Sequence, residues 1–108
     1  MTKSIVEQVE NWLAENSVKY ANLCSKLLIQ SGDVADPIKG TVTIGAETSS
    51  RIASITFWNK GEVCVVVVDK TLRKDSVLDD RKLAPDDDVQ MLLTGYFEQI
   101  IRPESPRS

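Results

Sequence analysis

Apolar and polar positions alternate most clearly between Arg51 and Asp69, R-I-A-S-I-T-F-W-N-K-G-E-V-C-V-V-V-V-D. Two runs rich in Val, Ile, Thr, Phe and Trp flank Trp58-Asn59-Lys60-Gly61. Such side chains fit a pleated, half-buried surface. Asn and Gly tolerate the positive φ of a tight reversal, so the stretch predicts a β-hairpin. In its first arm Ala53, Ile55 and Phe57 share one face, and Ile52, Ser54, Thr56 and Trp58 share the other. In its second arm Val63, Val65 and Val67 oppose Cys64, Val66 and Val68, so both faces are apolar. A strand of that kind belongs in mid-sheet. One face is expected to carry helices, and the other to be packed by a loop or left to a partner.

Upstream, Ser4-Ile5-Val6-Glu7 matches a capping box, which opens a helix. Ile5, Val9, Trp12 and Leu13 form one apolar stripe, with Trp12 as a core anchor. The pattern weakens at Asn16-Ser17, but Val18, Ala21 and Leu23 continue it toward Lys26, which predicts one long helix, bent near Asn16 or straight. Leu27-Leu28-Ile29 suits either a first strand or the end of that helix. Ser31 to Gly40 is a loop by composition, and Thr41 to Ala46 alternates as a strand in which Gly45 suggests a bulge.

Downstream, Asp69 to Lys74 leaves the sheet with mixed charge. Ser76-Val77-Leu78 predicts a last strand, followed by polar Asp79 to Lys82 and an apolar anchor at Leu83. A second helix opens at Pro85-Asp86-Asp87-Asp88, where proline and acids suit the first turn and Asp87 with Gln90 suits a capping box. Val89, Leu92, Leu93, Tyr96 and Ile100 give its core stripe. Gly95 inside it suggests close approach to a neighbouring backbone, or a tolerated weakness. Pro103 stops the helix. The expectation is therefore an α+β fold: an N-terminal helix, an antiparallel meander of about four strands centred on hairpin 51–69, and a C-terminal helix packed on one face. Residues 1–102 form one domain and 103–108 a short tail.

Length and composition agree with one domain able to bury its own core: 108 residues, 42% of them apolar. The longest apolar run, Val63 to Val68, is far short of the roughly 18 residues of a membrane span. Met-Thr-Lys-Ser lacks the apolar core of a signal peptide, which predicts a cytoplasmic location without a membrane. A net charge of −3 argues against nucleic acid. Asp79-Asp80 and Asp86-Asp87-Asp88 read as solvation and helix-start chemistry, or as an acidic surface for a basic partner. Cys24 and Cys64 each read as a small buried apolar residue rather than as a disulfide.

Catalytic chemistry is poorly provided for. The chain has no histidine, so it lacks the commonest general base and metal ligand, and no Ser-His or Cys-His pair can form. No phosphate-cradling glycine motif and no calcium-loop spacing occurs. Carboxylate pairs identify nothing in a chain with 16 acids. The expectation is a protein without enzymatic activity, catalytic residues, cofactor or metal.

The stretch I-T-F-W-N-K-G-E-V-C-V-V-V-V-D resembles the TriTu family of immunity proteins from bacterial polymorphic toxin systems, of the type VI secretion and Rhs kind. In that family a strand ends in Trp, then x-x-Gly, then an alternating strand closing on Asp; the matching positions here are Trp58, Gly61 and Asp69. Trp12-Leu13 in the first helix and Gly95-Tyr96-Phe97-Glu98 in the last are similar too. Cys64 and Val66 stand where the family's second arm carries polar residues. The resemblance implies an immunity protein that neutralises an ADP-ribosyltransferase toxin acting on elongation factor Tu. It would do so by occluding the toxin's cleft, as a monomer or in a 1:1 complex. Candidate partner contacts are Trp58, Asp69, Asp79, Asp80 and Arg81, chosen for exposure and charge. Of these the resemblance matches only Trp58 and Asp69, and both also read as structural. The competing reading is a secretion-type chaperone or another small acidic protein-interaction module.

Overall fold

The computed structural model describes residues 4–71, 73–84 and 86–101. Its elements run α1 (Ile5–Leu23), β1 (Lys26–Gly32), β2 (Thr41–Glu47), β3 (Arg51–Trp58), β4 (Glu62–Asp69), β5 (Lys74–Lys82) and α2 (Val89–Ile101). The five strands form one sheet in the order β1-β2-β3-β4-β5, every pair antiparallel. The α+β class and the hairpin-centred meander stand as expected, with five strands rather than about four. No helix of the described residues is long and apolar enough to cross a membrane.

The capping box at Ser4 and Glu7 opens α1 as predicted. Asn16 does not end the helix, which runs on to Leu23, and its side-chain amide donates to the Trp12 carbonyl at 2.9 Å. Leu27-Leu28-Ile29 is strand, not helix, since the helix ends at Leu23 with Cys24 in extended backbone. β2 runs through Gly45 in unbroken register, so the expected bulge there is absent. A register shift occurs instead where β4 meets β5, between Val65 and Val66.

The turn between β3 and β4 is tight: the Gly61 N–H donates to the Trp58 carbonyl at 3.0 Å. Only Gly61 in this turn has positive φ, at 100°, which relieves Asn59 of the backbone role expected of it. Asn59 instead works through its side chain. Its amide donates to the carbonyls of Val34 and Asp36, both at 2.9 Å, and its oxygen accepts from the Val6 N–H at 2.9 Å. The last bond satisfies one of the donors that a helix's first turn leaves unpaired. A side chain on Gly40 would collide with this amide, since a Cβ there would lie 2.1 Å from Asn59 Nδ2. One residue thus ties the hairpin turn, the 33–40 loop and the start of α1 together.

Both helices lie on one face of the sheet and enclose the core. From the sheet it receives Val42, Ile44, Ala46, Ala53, Ile55, Phe57, Val63 and Val65. Between the helices, Trp12, Tyr20 and Phe97 stack with ring centroids 4.5–5.4 Å apart. Trp12 is a core anchor as expected, while Tyr20 and Phe97 extend the cluster beyond the stripes read from the sequence. Arg51 donates to the carbonyls of Gln99 and Ile100 at 3.0 and 3.1 Å, placing a cation at the negative end of α2.

α2 starts later than its acids suggested. Asp88 caps it, accepting from the Gln90 and Met91 N–H groups, while Asp87 accepts from the Ala84 N–H. Gly95 makes no close approach: a Cβ there would find nothing within 4 Å. Pro85, the stop at Pro103 and the tail at 103–108 lie outside the described residues.

Candidate functional site

β5 decides which predicted contacts share a surface. It continues through Lys82, four residues past the expected last strand. Alternation along a strand then sends Asp79 and Arg81 to one face and Asp80 to the other. Asp79 turns to the helices. Its carboxylate accepts from the Tyr96 hydroxyl and from Arg81 Nε at 3.1 Å, and Arg81 Nη1 reaches Asp87 at 3.0 Å. Burial alone would raise the Asp79 carboxyl, but the Tyr96 hydroxyl and the Arg81 guanidinium outweigh it and hold the group below the usual range. Burial first, and then the Asp79 carboxylate, pushes the Tyr96 hydroxyl up. Asp79 and Arg81 therefore belong to a network at the edge of β5 that ties the strand to Tyr96 of α2 and to Asp87 ahead of that helix, with Asp79 half-buried and Arg81 exposed. They do not form an acidic docking patch with Asp80.

Asp69 is placed apart from the others. It ends β4 opposite Arg51, and its carboxylate accepts from the Thr71 N–H at 2.9 Å, which shapes the turn after the strand. Trp58 stands at the opposite end of the hairpin, roughly 24 Å away along eight-residue strands. The two candidate contacts that the resemblance matches, Trp58 and Asp69, cannot meet one partner side chain together.

Trp58 and Asp80 do share a face, the one that no helix covers. Directly paired residues project to the same side of a sheet, so the register defines this face row by row. Its central row is Leu28, Gly45, Ser54, Val66 and Val77, flanked on one side by Lys26, Glu47, Ile52, Val68 and Asp75. On the other side run Gln30, Thr43, Thr56, Cys64 and Asp80, and beyond them Trp58 pairs with Glu62, which faces Lys82. Leu28, Ile52 and Val77 are 56%, 45% and 64% exposed. Apolar surface thus crosses all but one strand, rimmed by Lys26, Glu47, Asp75, Asp80 and Lys82. A hollow of about 150 Å³ at Gly45, walled by Leu28 and Ile52, dents it.

Sequence reading identified the second face of β4 as apolar, and Leu28 and Val77 complete it from the two edges. Neither stood out in the chain, because each lies in a short run whose strand character was not settled by periodicity. The signal that finds them is the register itself: each is paired to a residue on the outer face of its neighbour.

Cys64, expected to be buried, is half-buried on this face between Thr56 and Asp80. Burial, then the Asp80 and Asp79 carboxylates, raises its thiol, which keeps it protonated at neutral pH and a weak nucleophile. Cys24 is buried as expected, and both thiols are free. Among the described residues no three side chains gather that could hold a metal ion. A second concavity of about 530 Å³ lies between the helices, bordered by Trp12, Glu15, Met91, Gly95 and Glu98. Comparisons of the chain with family models, curated proteins and solved structures found no match.

Proposed function

We propose that this chain is a non-catalytic binding protein whose partner, another protein, docks on the uncovered face of the sheet. The observation that carries this reading is the band of exposed Leu28, Ile52 and Val77 with half-buried Val66 and Val68 between them. An apolar band with a charged rim, broken at β2 by the Gly45 hollow, matches the anatomy of protein interfaces, and Trp58 at its end is of the type that anchors them. On the resemblance of the Trp58-x-x-Gly61 hairpin, we further propose that the chain is a cytoplasmic immunity protein. Its partner would then be an ADP-ribosyltransferase toxin that modifies elongation factor Tu, held with its cleft occluded. Asp80 and Glu62 beside the band offer carboxylates to a cleft that binds pyrophosphate through cations.

The test is co-expression with an ADP-ribosyltransferase toxin domain, taken from the reading frame beside this chain's own where one is encoded there. Growth is expected to be restored by the unaltered protein and lost again with Ile52→Lys combined with Val77→Lys. Continued killing in the presence of abundant, folded, unaltered protein would sink the immunity reading. Full protection by the double variant would sink the docking face alone.

A further inference from the structure

The two edges of the sheet are built differently. β5 carries Asp75, Asp79, Asp80, Arg81 and Lys82, and its pairing is broken by a register shift. Charge and irregularity of this kind keep an edge from joining another strand. β1 has neither device. It pairs with β2 over all seven residues without a break, holds no proline, and has Lys26 as its one charge. Leu28 and Ile29 are exposed on its two faces, at 56% and 43%. Ser31 donates to Glu10 at 3.1 Å, which marks the flank of α1 that overlooks β1. On that flank Ala14 and Ala21, four and eleven residues on from Glu10, are exposed and small, so α1 leaves room beside the edge.

We infer that β1 is the dimerisation edge of this protein, and that its occupant is β1 of a second copy, joining two sheets into one of ten strands. The sequence of the strand selects both the partner and the register. A two-fold axis through Leu28 sets Leu28 against its own copy, Leu27 against Ile29, and Lys26 against Gln30. Every apolar residue then meets an apolar one, and no like charges face each other. An axis through Ile29 would set Leu28 against Gln30 and Leu27 against Ser31. An axis through Leu27 would set Leu28 against Lys26. A β5 occupant would bring its row of charges to the apolar edge. The two uncovered faces stay free in this arrangement and merge into one, so the inference holds whether or not a toxin docks there. It replaces a monomer by a two-fold pair as the unit that meets the partner. Strand pairs of this size fall at the low end of specific interfaces, which bury about 1,200–2,000 Å², so the dimer is expected to be concentration dependent.

Sedimentation velocity of the full chain from about 5 to 500 µM tests it, a range that brackets dissociation constants of micromolar order. Reversible dimerisation is expected. Ile29→Lys, on the helix side of the edge, should weaken it by at least about tenfold, given the cost of burying an unpaired charge. Val77→Lys, on the far strand, should leave it unchanged; circular dichroism checks that both variants fold. In a chain carrying Cys24→Ala and Cys64→Ala, Leu28→Cys should oxidise to a covalent dimer. Gln30→Cys should not, because its copies would lie about four residues apart along the strand pair, beyond disulfide reach. A monomer throughout the range, or equal dimerisation by Ile29→Lys, or equal cross-linking at Gln30, would overturn the proposal.

Discussion

Neighbouring side chains on the same strands meet opposite fates on the two faces of this sheet. Ile55 is fully buried beneath the helices, while Ile52, three residues earlier on the same strand, is 45% exposed. Val65 on β4 is fully buried and Val77, across the sheet from Val66, is 64% exposed. The residues are chemically alike, so hydrophobicity alone does not mark a core position. What differs is the presence of α1 and α2 with their stacked Trp12, Tyr20 and Phe97. Stability is therefore expected to concentrate on the covered side, with a smaller share from the half-buried Val66 and Val68 of the other.

That contrast can be broken at its strongest point first. Phe97→Ala removes a fully buried ring that stacks on two others, and should cost about 3–5 kcal/mol, read from denaturant unfolding. A loss below about 1 kcal/mol would show that the covered face does not carry the stability.

Asn59→Ala comes next. It strips the Asn59 partner from the Val34 carbonyl and the Val6 N–H, and one of two from the Asp36 carbonyl, which keeps the Gly40 N–H, with an expected cost of about 2–3 kcal/mol. Hydrogen exchange should quicken at Val6 and in the 33–40 loop, without comparable change on β5.

Asp79 sharpens the border between the two faces. Its folded carboxyl lies below the unfolded value of about 3.9, so its contribution is complete above that value and is lost as pH falls through the folded one. Asp79→Asn should be less stable at neutral pH and should lose stability less steeply between about pH 5 and 2. An unchanged acid limb in urea titrations would remove the carboxylate from that role.

Gly95→Ala probes the wall that α2 gives to the concavity between the helices. With nothing within 4 Å of the added carbon, the helix should gain about 1 kcal/mol. On the uncovered face, Ile52→Lys with Val77→Lys should shift stability by no more than about 0.5 kcal/mol per site. A large loss there would mean that this face is a second core rather than a docking surface.

The sequence reveals the parts of this fold that depend on period and capping, and hides those that depend on pairing. The arms of the 51–69 hairpin alternate over eight residues each, long enough to define faces before any partner is known. The Ser4–Glu7 box is a local hydrogen-bond arrangement, and it reads directly. Leu27-Leu28-Ile29 is too short to show a period, so its strand character becomes visible only beside β2. The Asp79–Lys82 segment is charged throughout, so alternation along it carries no apolar signal. Its division into an inward network and an outward acid depends on the register shift opposite Val65. Asp87 and Asp88 are equivalent as helix-start acids, and only the position where the backbone turns helical separates the cap from the residue that holds Arg81. The candidate face was legible in its centre, through Cys64, Val66 and Val68, and hidden at its margins for the same reason as β1.

The order of the strands also governs how the chain assembles. Every strand pairs with its sequence neighbour, so the sheet closes through short loops at small entropic cost. The aromatic stack is the opposite case: Trp12 and Tyr20 wait for Phe97, which lies beyond the last strand of the sheet. The meander can form from neighbouring strands before α2 docks and brings the ring that seals the core. During that interval both faces of the sheet are alike in being uncovered, and the docking of α2 is the event that makes one of them an interior.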